Sequence, residues 1–524
     1  MSGGDPLVAV VLCDGGHSDG AIDAGAVRDA LLAALPGSPI RIVEDLCGHP
    51  HQIREIASDI GAQRIVLGVC GRIPQAEAQA WARKAGLDPF GINVVSLAFA
   101  AAAGSITTAM RLLVASVAAT SSFAGSHPDH LRMRFINGVM SRRALFHLPP
   151  ITYKPAAAVD TAACIGAERC GLCVTACPVG AITLAGGTAA IDKTACIGCG
   201  ICVSACPTRS VTLPDASLDR HEAQLGALLA PASDGKTPGI IFACKHSAPI
   251  LEGVEGGAGG RWLPLELPSL GMLTPGWILQ TLVAGAPAVA VLQCGSQCPP
   301  GSADALAEQI AYCRIALGHI VDEDPSVRVR ILSEVPEELS RALVGVPSRP
   351  LSGADERSSL TLSEPAAMAQ ALQWLSGGRA GRSWSVAAPA SPLGVVRIDG
   401  VACTACGACA GACPTQALTL EERDDEIALV LDPSSCLGCA RCESVCPERA
   451  VTVRKETSIA VLARGTVVPK VETMQRCRRC GGPIAPGAML RRISGLLSDQ
   501  SPALVAAVTE LCSDCRTLSA PVTR

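Results

Sequence analysis

The sequence predicts a multidomain protein of mixed α/β and α+β class. We expect two parallel-sheet α/β domains, two small (βαβ)₂ modules and a small C-terminal domain built on paired cysteines. Three observations lead to this prediction. Strand and helix patterns alternate over two long stretches, one cysteine spacing occurs four times, and 524 residues are too many for one ordinary core. A hydrophobic content of 49% and a charged content of 17% are typical of a globular chain.

Cysteine usage indicates metal ligation. The chain has 27 cysteines, most of them in runs with C-x2-C spacing. The first residues, MSGGDPLVAVVLCDGG, lack the basic region and long apolar run of a signal peptide. Because clustered cysteines without an export signal are typical of a reducing compartment, we expect a cytoplasmic, metal-binding protein. A net charge of −4 and an aromatic content of 2% give no reason to expect a nucleic-acid partner.

Residues 1–97 alternate between short apolar runs and helical patterns, as in a parallel sheet. Three runs end at or near Cys13, Cys47 and Cys70, and ligand sites in such sheets lie beyond the carboxyl ends of the strands. One interpretation is a metal or cluster site completed by a non-cysteine ligand. The histidines near enough in sequence are His17, His49 and His51. The other interpretation is that the three cysteines are small buried hydrophobes.

Three stretches of this segment resemble a known family: VLCDGG, EDLCGHPHQIREIASDIGAQRIVLGVCGR and AGLDPFGINVV. Through them the segment resembles the N-terminal domain of the A-type subunit of heterodisulfide reductase. The resemblance implies a cluster bound by Cys13, Cys47 and Cys70. The first site of that family usually has two cysteines, whereas this chain has only Cys13 there.

Residues 98–154 are predicted to be a helical connector. The stretch 97–123 is the best candidate for a membrane span, but it is rich in alanine, serine and threonine and contains Arg111. We therefore expect a packed helix and no membrane span.

Residues 155–215 and 393–455 are predicted to be the two small modules. Three cysteine runs read C-x2-C-x2-C-x3-C-P, and a fourth has five residues between its first two cysteines. Iron in clusters needs such soft, deprotonated sulfur ligands. Zinc in tetrahedral sites is the poorer alternative for these runs. The modules resemble bacterial two-cluster ferredoxins, so we expect four [4Fe–4S] clusters.

In such ferredoxins the last cysteine of each run ligates the other cluster. The first module is then expected to have the sets Cys164, Cys170, Cys173, Cys206 and Cys196, Cys199, Cys202, Cys177. The second module is expected to have the sets Cys403, Cys406, Cys409, Cys446 and Cys436, Cys439, Cys442, Cys413.

Residues 216–345 return to alternating strands and helices. Apolar runs end at Cys244 and Cys294, and Cys298 and Cys313 follow. The stretches FACKH, LPSLGMLTPGWILQTLVAGAPAVAVLQCGSQC and ALGHIVDEDPSVRVRILSE resemble the delta subunit of methyl-viologen-reducing hydrogenase. That likeness implies a [2Fe–2S] cluster on Cys244, Cys294, Cys298 and, as a further candidate, Cys313. The alternative is a vestigial domain that serves as a docking scaffold.

The remaining segments are a linker and a tail. Residues 346–392 contain one amphipathic helix and the stretch GGRAGRSWSVAAPASP, which is typical of a flexible linker. In residues 470–524 two C-x2-C pairs, Cys477 with Cys480 and Cys512 with Cys515, predict a four-thiolate site. We expect zinc there, with rubredoxin-like iron as the alternative.

Together these features predict an iron–sulfur electron-transfer subunit. It would relay single electrons between partner subunits of a soluble oxidoreductase complex of the hydrogenase/heterodisulfide reductase kind. The glycine-rich fingerprint of a flavin domain is missing between the modules, so we expect a flavoprotein, hydrogenase or dehydrogenase as partner. No catalytic triad, phosphate loop or paired-carboxylate site is found. Two alternatives stay open: a redox enzyme with its own site in residues 238–320, and a redox sensor or assembly factor.

Overall fold

The structure is a computed structural model that describes most of the chain. The described ranges are 7–15, 22–71, 73–122, 131–133, 153–166, 170–213, 216–231, 235–244, 246–252, 254, 261–295, 302–351, 359–377, 383–423 and 425–517. The chain divides into two units, Met1–Ala167 with Gly171–Ala380, and Glu168–Cys170 with Gly381–Arg524. The boundary after residue 380 falls within the predicted linker.

The first unit begins with a parallel four-stranded sheet of order β2-β1-β3-β4. Its strands are β1 (Val8–Asp14), β2 (Ile40–Glu44), β3 (Arg64–Val69) and β4 (Ile92–Ser96). Its helices are α1 (Ala24–Ala34), α2 (Gln52–Ile60) and α3 (Gln75–Ala85). Strand β1 is apolar up to Cys13 and is buried on both faces: Val10 and Leu12 pack on one side, Val11 and Cys13 on the other.

The alanine-rich stretch forms a core helix. The elements here are α4 (Ala98–Ala102), α5 (Ile106–Ser121), and the antiparallel pair β5 (Leu131–Met133) and β6 (Tyr153–Pro155). Leu113 and Val117 of α5 pack in the core of the first sheet. Buried Arg111 donates hydrogen bonds to the carbonyls of Leu228, at 3.4 Å, and Lys236, at 3.1 Å. Within the described ranges no helix has both the length and the apolar character needed to cross a membrane.

The first small module has the element order βαββαβ. Its elements are β7 (Ala158–Val159), α6 (Leu172–Ala176), β8 (Ile182–Ala185), β9 (Thr188–Ile191), α7 (Ile201–Ser204) and β10 (Val211–Thr212). β7 pairs with β10 and β8 pairs with β9, both antiparallel. This is the order expected for a (βαβ)₂ module.

A second parallel sheet follows, of order β12-β11-β13-β14. Its strands are β11 (Gly239–Cys244), β12 (Trp262–Leu267), β13 (Val289–Leu292) and β14 (Val329–Leu332). Its helices are α8 (Leu218–Leu229), α9 (Ala248–Glu252), α10 (Pro275–Val283), α11 (Ser302–Gly318), α12 (Pro336–Leu343) and α13 (Glu364–Ser376). Both parallel sheets therefore have the same strand order, with the first strand inside and the second strand at the edge.

Helix α13 lies against α10, although the sequence places it in the stretch predicted as helix and linker. Gln280 donates to the carbonyl of Ala367 at 2.8 Å, and Glu364 accepts the N–H of Gly276 at 2.7 Å. The helix is thus an integral part of the second parallel domain.

The second unit contains the other module and the tail. Its strands are β15 (Ser385–Ala387), β16 (Gly394–Ile398), β17 (Leu418–Arg423), β18 (Glu426–Leu431), β19 (Val451–Ser458), β20 (Val467–Arg476) and β21 (Pro483–Pro486). Its helices are α14 (Ala408–Ala412), α15 (Arg441–Ser444), α16 (Ile459–Ala463), α17 (Gly487–Leu496), α18 (Pro502–Glu510) and α19 (Ser513–Thr517). One sheet has the order β15-β19-β16, and a second, antiparallel sheet has the order β17-β18-β20-β21.

Candidate metal centres

Each of the four cysteine runs begins at a turn held by an aspartate. The aspartate carboxylate accepts the N–H two residues on: Ala162 to Asp160 at 2.9 Å, Thr194 to Asp192 at 2.7 Å, Val401 to Asp399 at 2.9 Å and Ser434 to Asp432 at 3.0 Å. In three runs the N–H of the first cysteine also bonds back to the aspartate carbonyl: Cys164, Cys196 and Cys403. These Asx turns fix where the first thiol of each run starts.

Each run ends at a second repeated turn. Three residues after the last cysteine the backbone is left-handed, with φ of 61° at Gly180, 55° at Arg209, 55° at Gln416 and 51° at Arg449. The N–H of each of these residues donates to the carbonyl of the last cysteine, at 3.2–3.4 Å. Three of them are not glycine, so the turn is held against a local conformational cost. The turn sends the chain from the last thiol directly into the next strand.

The second module contains a hollow lined by residues of both of its cysteine runs. Its lining includes four predicted ligands: Cys413, Cys436, Cys439 and Cys442. Val396, Leu418 and Val453 are among its apolar walls. Three of the thiols come from one run and Cys413 comes from the other, which is the crossed set expected from the sequence.

The first module has a matching hollow. Its lining includes the predicted ligands Cys177, Cys196, Cys199 and Cys202. Ala157, Ile182 and Ile191 are among its apolar walls. Here too the last cysteine of one run meets three cysteines of the other.

The remaining set of the second module is identified by mutual charge effects. Burial, followed by the charges of Cys403, Cys406 and Cys446, raises the pKa of Cys409 to about 11. Cys446 therefore lies beside the run of Cys403, Cys406 and Cys409 in the second module. In the first module Cys164 and Cys206 are partly buried and pack against a core cluster that contains Cys173, as Cys177 and Cys196 of the other set also do. Cys170 is grouped with the second unit, so its role as a ligand in the first module stays a prediction.

Burial favours the neutral form of several module thiols. It raises the pKa of Cys202 to about 12, of Cys436 to about 11 and of Cys442 to about 12, with neighbouring thiolates adding to the shift. Only deprotonated sulfur ligates iron, so binding of iron must release these protons. The donor set and the apolar walls of both hollows fit an iron–sulfur cluster.

The tail brings four thiols together. The sulfur atoms of Cys477, Cys480, Cys512 and Cys515 all lie within 4.8 Å of one another. Those of Cys480 and Cys512 are 3.6 Å apart. A tetrahedral zinc with Zn–S bonds of about 2.3 Å needs S···S separations of roughly 3.8 Å, so the four residues fit one such ion. Hydrogen bonds from the backbone N–H groups of Cys512, Cys480 and Arg479 lower the pKa of Cys477 to about 6, which favours a thiolate ligand.

Three thiols also meet at the first parallel sheet. The sulfur atoms of Cys13, Cys47 and Cys70 lie within 4.8 Å of one another. Cys13 is the last residue but one of β1, and Cys47 and Cys70 follow the ends of β2 and β3. Burial, with the charges of the other two thiols, raises the pKa of Cys47 to about 12. His49 forms an ion pair with Asp45 at 3.2 Å, and His17 lies outside the described residues. A histidine ligand for this site stays a prediction.

At the second parallel sheet the structure brings together a partly different set. The ligand atoms of Cys244, His246 and Cys294 lie within 4.8 Å of one another. Sequence reasoning missed His246, although its Cys-x-His spacing just after a buried strand was a usable signal. Cys244 ends β11 and Cys294 follows β13, on the two sides of the point where the strand order reverses. Such switch points are the usual ligand sites of open α/β sheets.

Of the other two cysteines predicted there, only Cys313 is among the described residues. Cys298 lies outside the described residues. Cys313 is fully buried on α11, where its thiol donates a long, 3.8 Å hydrogen bond to the carbonyl of Pro275. Burial raises its pKa far above the ordinary value. Cys313 is therefore a core residue in this structure.

Comparison with known proteins identifies the modules. Residues 163–210 and 402–450 match the 4Fe-4S dicluster domain family. No curated protein matches the chain. The chain is therefore an iron–sulfur protein with two dicluster domains. The matches include neither residues 1–97 nor residues 216–345, so the two resemblances stated for those segments stay predictions.

Proposed function

We propose that the protein relays single electrons between partner subunits of an oxidoreductase complex of the hydrogenase/heterodisulfide reductase kind. The observation that carries the proposal is the hollow around Cys413, Cys436, Cys439 and Cys442. There the last cysteine of one run joins three of the other, as two-cluster ferredoxins require. Two clusters held in one small module are close enough neighbours for an electron to pass between them.

The proposal assigns one [4Fe–4S] cluster to each crossed cysteine set, four in all. Such a cluster, when bound, accepts and passes on one electron. The chain contributes the thiolates, the Asx turns that position them and a dry environment. Leu418, Leu429 and Leu431 pack against the second module's cysteines and exclude water from them. Burial and hydrogen bonds to sulfur then tune each potential.

The tail is proposed to hold a structural zinc ion. Four thiolates close the coordination shell and leave no open position for a substrate. Strand β20 connects this site to the second module, since it pairs with β18 and ends one residue before Cys477. A zinc ion there would therefore stabilise the module as well as the tail.

The two parallel sheets are proposed to bind further metal centres. The ligands would be Cys13, Cys47 and Cys70 at the first sheet, and Cys244, Cys294 and Cys298 with His246 at the second. Partner subunits are proposed to be a flavoprotein, hydrogenase or dehydrogenase. The flavin and the catalytic metal that the relay needs would then come from those partners.

A second candidate is a redox enzyme with its own site in residues 238–320. One observation favours it: the thiols of Cys244 and Cys294 share a sheet edge with the exposed imidazole of His246. A site reached by solvent can admit a substrate. A bound flavin in the purified protein, or substrate turnover without partners, would favour this enzyme over the relay.

Anaerobic purification with iron, sulfide and zinc analysis tests the proposal. Four cubes require about 16 iron atoms per chain, with more if a parallel sheet binds a cluster. Reduction by dithionite should produce EPR signals from every cube, and a flavoprotein partner should reoxidise them. About eight iron atoms with abundant zinc in the modules would contradict the four-cluster assignment.

A further inference from the structure

The cysteines that end the four runs have different hydrogen-bond partners; they are Cys177, Cys206, Cys413 and Cys446. The hydroxyl oxygens of Ser210 and Thr208 lie 3.3 and 3.6 Å from the sulfur of Cys206. Cys413 has one hydroxyl near its sulfur, that of Thr415 at 3.7 Å. Two further cysteines have only small or non-hydroxyl residues at the corresponding positions, namely Val179 and Ala181 after Cys177, and Glu448 and Ala450 after Cys446. Their sulfurs accept a backbone N–H, at 3.2 Å from Ala181 and 3.3 Å from Ala450.

Ser210 is held in place by the fold. Its side chain is 2% exposed, and its carbonyl accepts the N–H of Asp160 at 2.7 Å where β10 meets β7. Asp160 in turn forms the Asx turn that leads to Cys164. Cys164 and Cys206 belong to the same predicted ligand set. The hydroxyl is therefore fixed to the frame that positions this one centre.

The surroundings of Cys206 favour negative charge on its sulfur. The hydroxyl of Ser210 can donate to this sulfur, and that of Thr208 can donate to the sulfur or to the oxygen of Ser210, 3.3 Å away. Groups that stabilise a thiolate also stabilise the extra negative charge of a reduced cluster. Each such hydrogen bond therefore raises the reduction potential.

A guanidinium also lies near this sulfur. Arg209 interacts with Cys206 and with the carboxylates of Glu364, Glu222 and Asp219. An arginine, Arg449, stands at the corresponding position after Cys446, so this charge does not single out Cys206. The two hydroxyls are thus the feature that distinguishes Cys206 from its three counterparts.

We propose that Ser210 and Thr208 make the centre ligated through Cys206 the most easily reduced of the four. This inference rests on the proposed four-cluster relay. A low-potential donor, such as a reduced flavoprotein, would supply electrons one at a time. Each electron would reside longest on that centre of the first module. The centre ligated through Cys413, with one hydroxyl, ranks second. The highest reduction potential would thus lie in the first module and the second highest in the second module.

An EPR-monitored redox titration of the full chain tests the order. Ser210→Ala and Thr208→Val should each move the highest of the four midpoint potentials to a lower value, and the double variant should move it further. Ser204→Ala is the matched control. Ser204 lies in the same module, but its hydroxyl donates to the carbonyls of Ile201 and Gly271 rather than to sulfur. Its potentials should equal those of the unchanged protein.

The outcomes separate this inference from the proposed function. A chain with too little iron for four cubes refutes the relay itself. Full iron with an unchanged highest potential in Thr208→Val and in Ser210→Ala overturns only the role of the hydroxyls. An equal shift in Ser204→Ala also overturns it, since that would indicate general loosening of the module. If Ser210→Ala loses iron, the inference is decided by Thr208→Val alone.

Discussion

The sulfur atoms of Cys480 and Cys512 lie 3.6 Å apart, although the residues are 32 positions apart in the chain. Helices α17 and α18 lie between them, so the approach of the two thiols depends on how the tail folds. The N–H of Arg478 donates to the carbonyl of Glu510 at 2.9 Å and holds the two cysteine pairs side by side. The four thiols of the tail therefore have the arrangement of a closed thiolate site.

Replacement of Cys512 should remove zinc from the tail. We expect Cys512→Ser to lose about one zinc per chain, because three thiolates bind a tetrahedral ion less tightly than four. Elemental analysis of the purified protein measures the loss. Cys313→Ala is the control, since Cys313 is buried away from every candidate site, and its zinc content should be unchanged. Equal zinc in both variants would contradict the assignment.

Crossed ligation in the second module can be tested with three variants. Cys446→Ser and Cys406→Ser should remove the same EPR signal, because both residues belong to the set that surrounds Cys409. Cys439→Ser should remove a different one, because Cys439 lines the hollow with Cys413. Each variant should lose about four of roughly 16 iron atoms if the cube is lost whole. Loss of one common signal from Cys446→Ser and Cys439→Ser would refute the crossing.

His246 should be a metal ligand. If it completes a site with Cys244 and Cys294, His246→Ala should lose the same metal as Cys294→Ala, measured as metal per chain and by absorption spectra. Replacement of a ligating side chain typically removes the ion or weakens its binding severely. His319→Ala is the matched control because His319 is exposed on the same domain. Unchanged metal content in His246→Ala would rule the imidazole out.

Buried His221 should make the first unit less stable in mild acid. Its ring is 2% exposed and lies 5.8 Å from that of Trp277. Burial, followed by the charge of Arg220, lowers its pKa to about 3. Below about pH 6.5 the unfolded chain binds a proton that the folded chain does not, so stability falls as pH falls.

Between about pH 7.5 and about pH 5.5 the loss should be about 1.4 kcal/mol. Denaturant unfolding followed by tryptophan fluorescence measures it. His221→Gln should flatten this pH dependence, and exposed His319→Gln should leave it unchanged. An identical pH slope in His221→Gln and the unchanged protein would contradict the prediction.

Arg111 should stabilise the first unit through its hydrogen bonds to backbone carbonyls. Its replacement by alanine leaves the carbonyls of Leu228 and Lys236 without their guanidinium donor. We expect a loss of about 1–3 kcal/mol in the unfolding free energy of the first unit. Chemical denaturation measures the change, with Arg28→Ala as a control because Arg28 is exposed on α1. A loss of equal size in both variants would argue against a special role for these bonds.

Local patterns predicted much of this fold. Apolar runs such as VAVVLC and GIIFAC predicted strands of two parallel sheets, and parallel sheets are present. The repeated cysteine spacing predicted ferredoxin-like modules, and the family match confirms two dicluster domains. The aspartate before each run was visible in sequence, but only the structure explains it as a turn that positions the first thiol.

Long-range packing could not be predicted in the same way. The periodicity of α5 and α13 shows an apolar face but not its partner, so neither Arg111 with Leu228 nor Gln280 with Ala367 was foreseeable. His246 was overlooked because a single exposed histidine has little signal until the fold places Cys294 beside it. The pairing of β20 with β18 was missed because it joins residues about forty positions apart, beyond any local pattern.

Strand β20 also has a protective effect. Without it, the side of β18 opposite β17 would present a row of unpaired backbone N–H and C=O groups, and β20 covers this edge from Glu426 to Leu431. Bare strand edges act as templates for self-association. A chain cut short before Val467 would therefore be prone to edge-to-edge aggregation, even with every cluster ligand of the module still present.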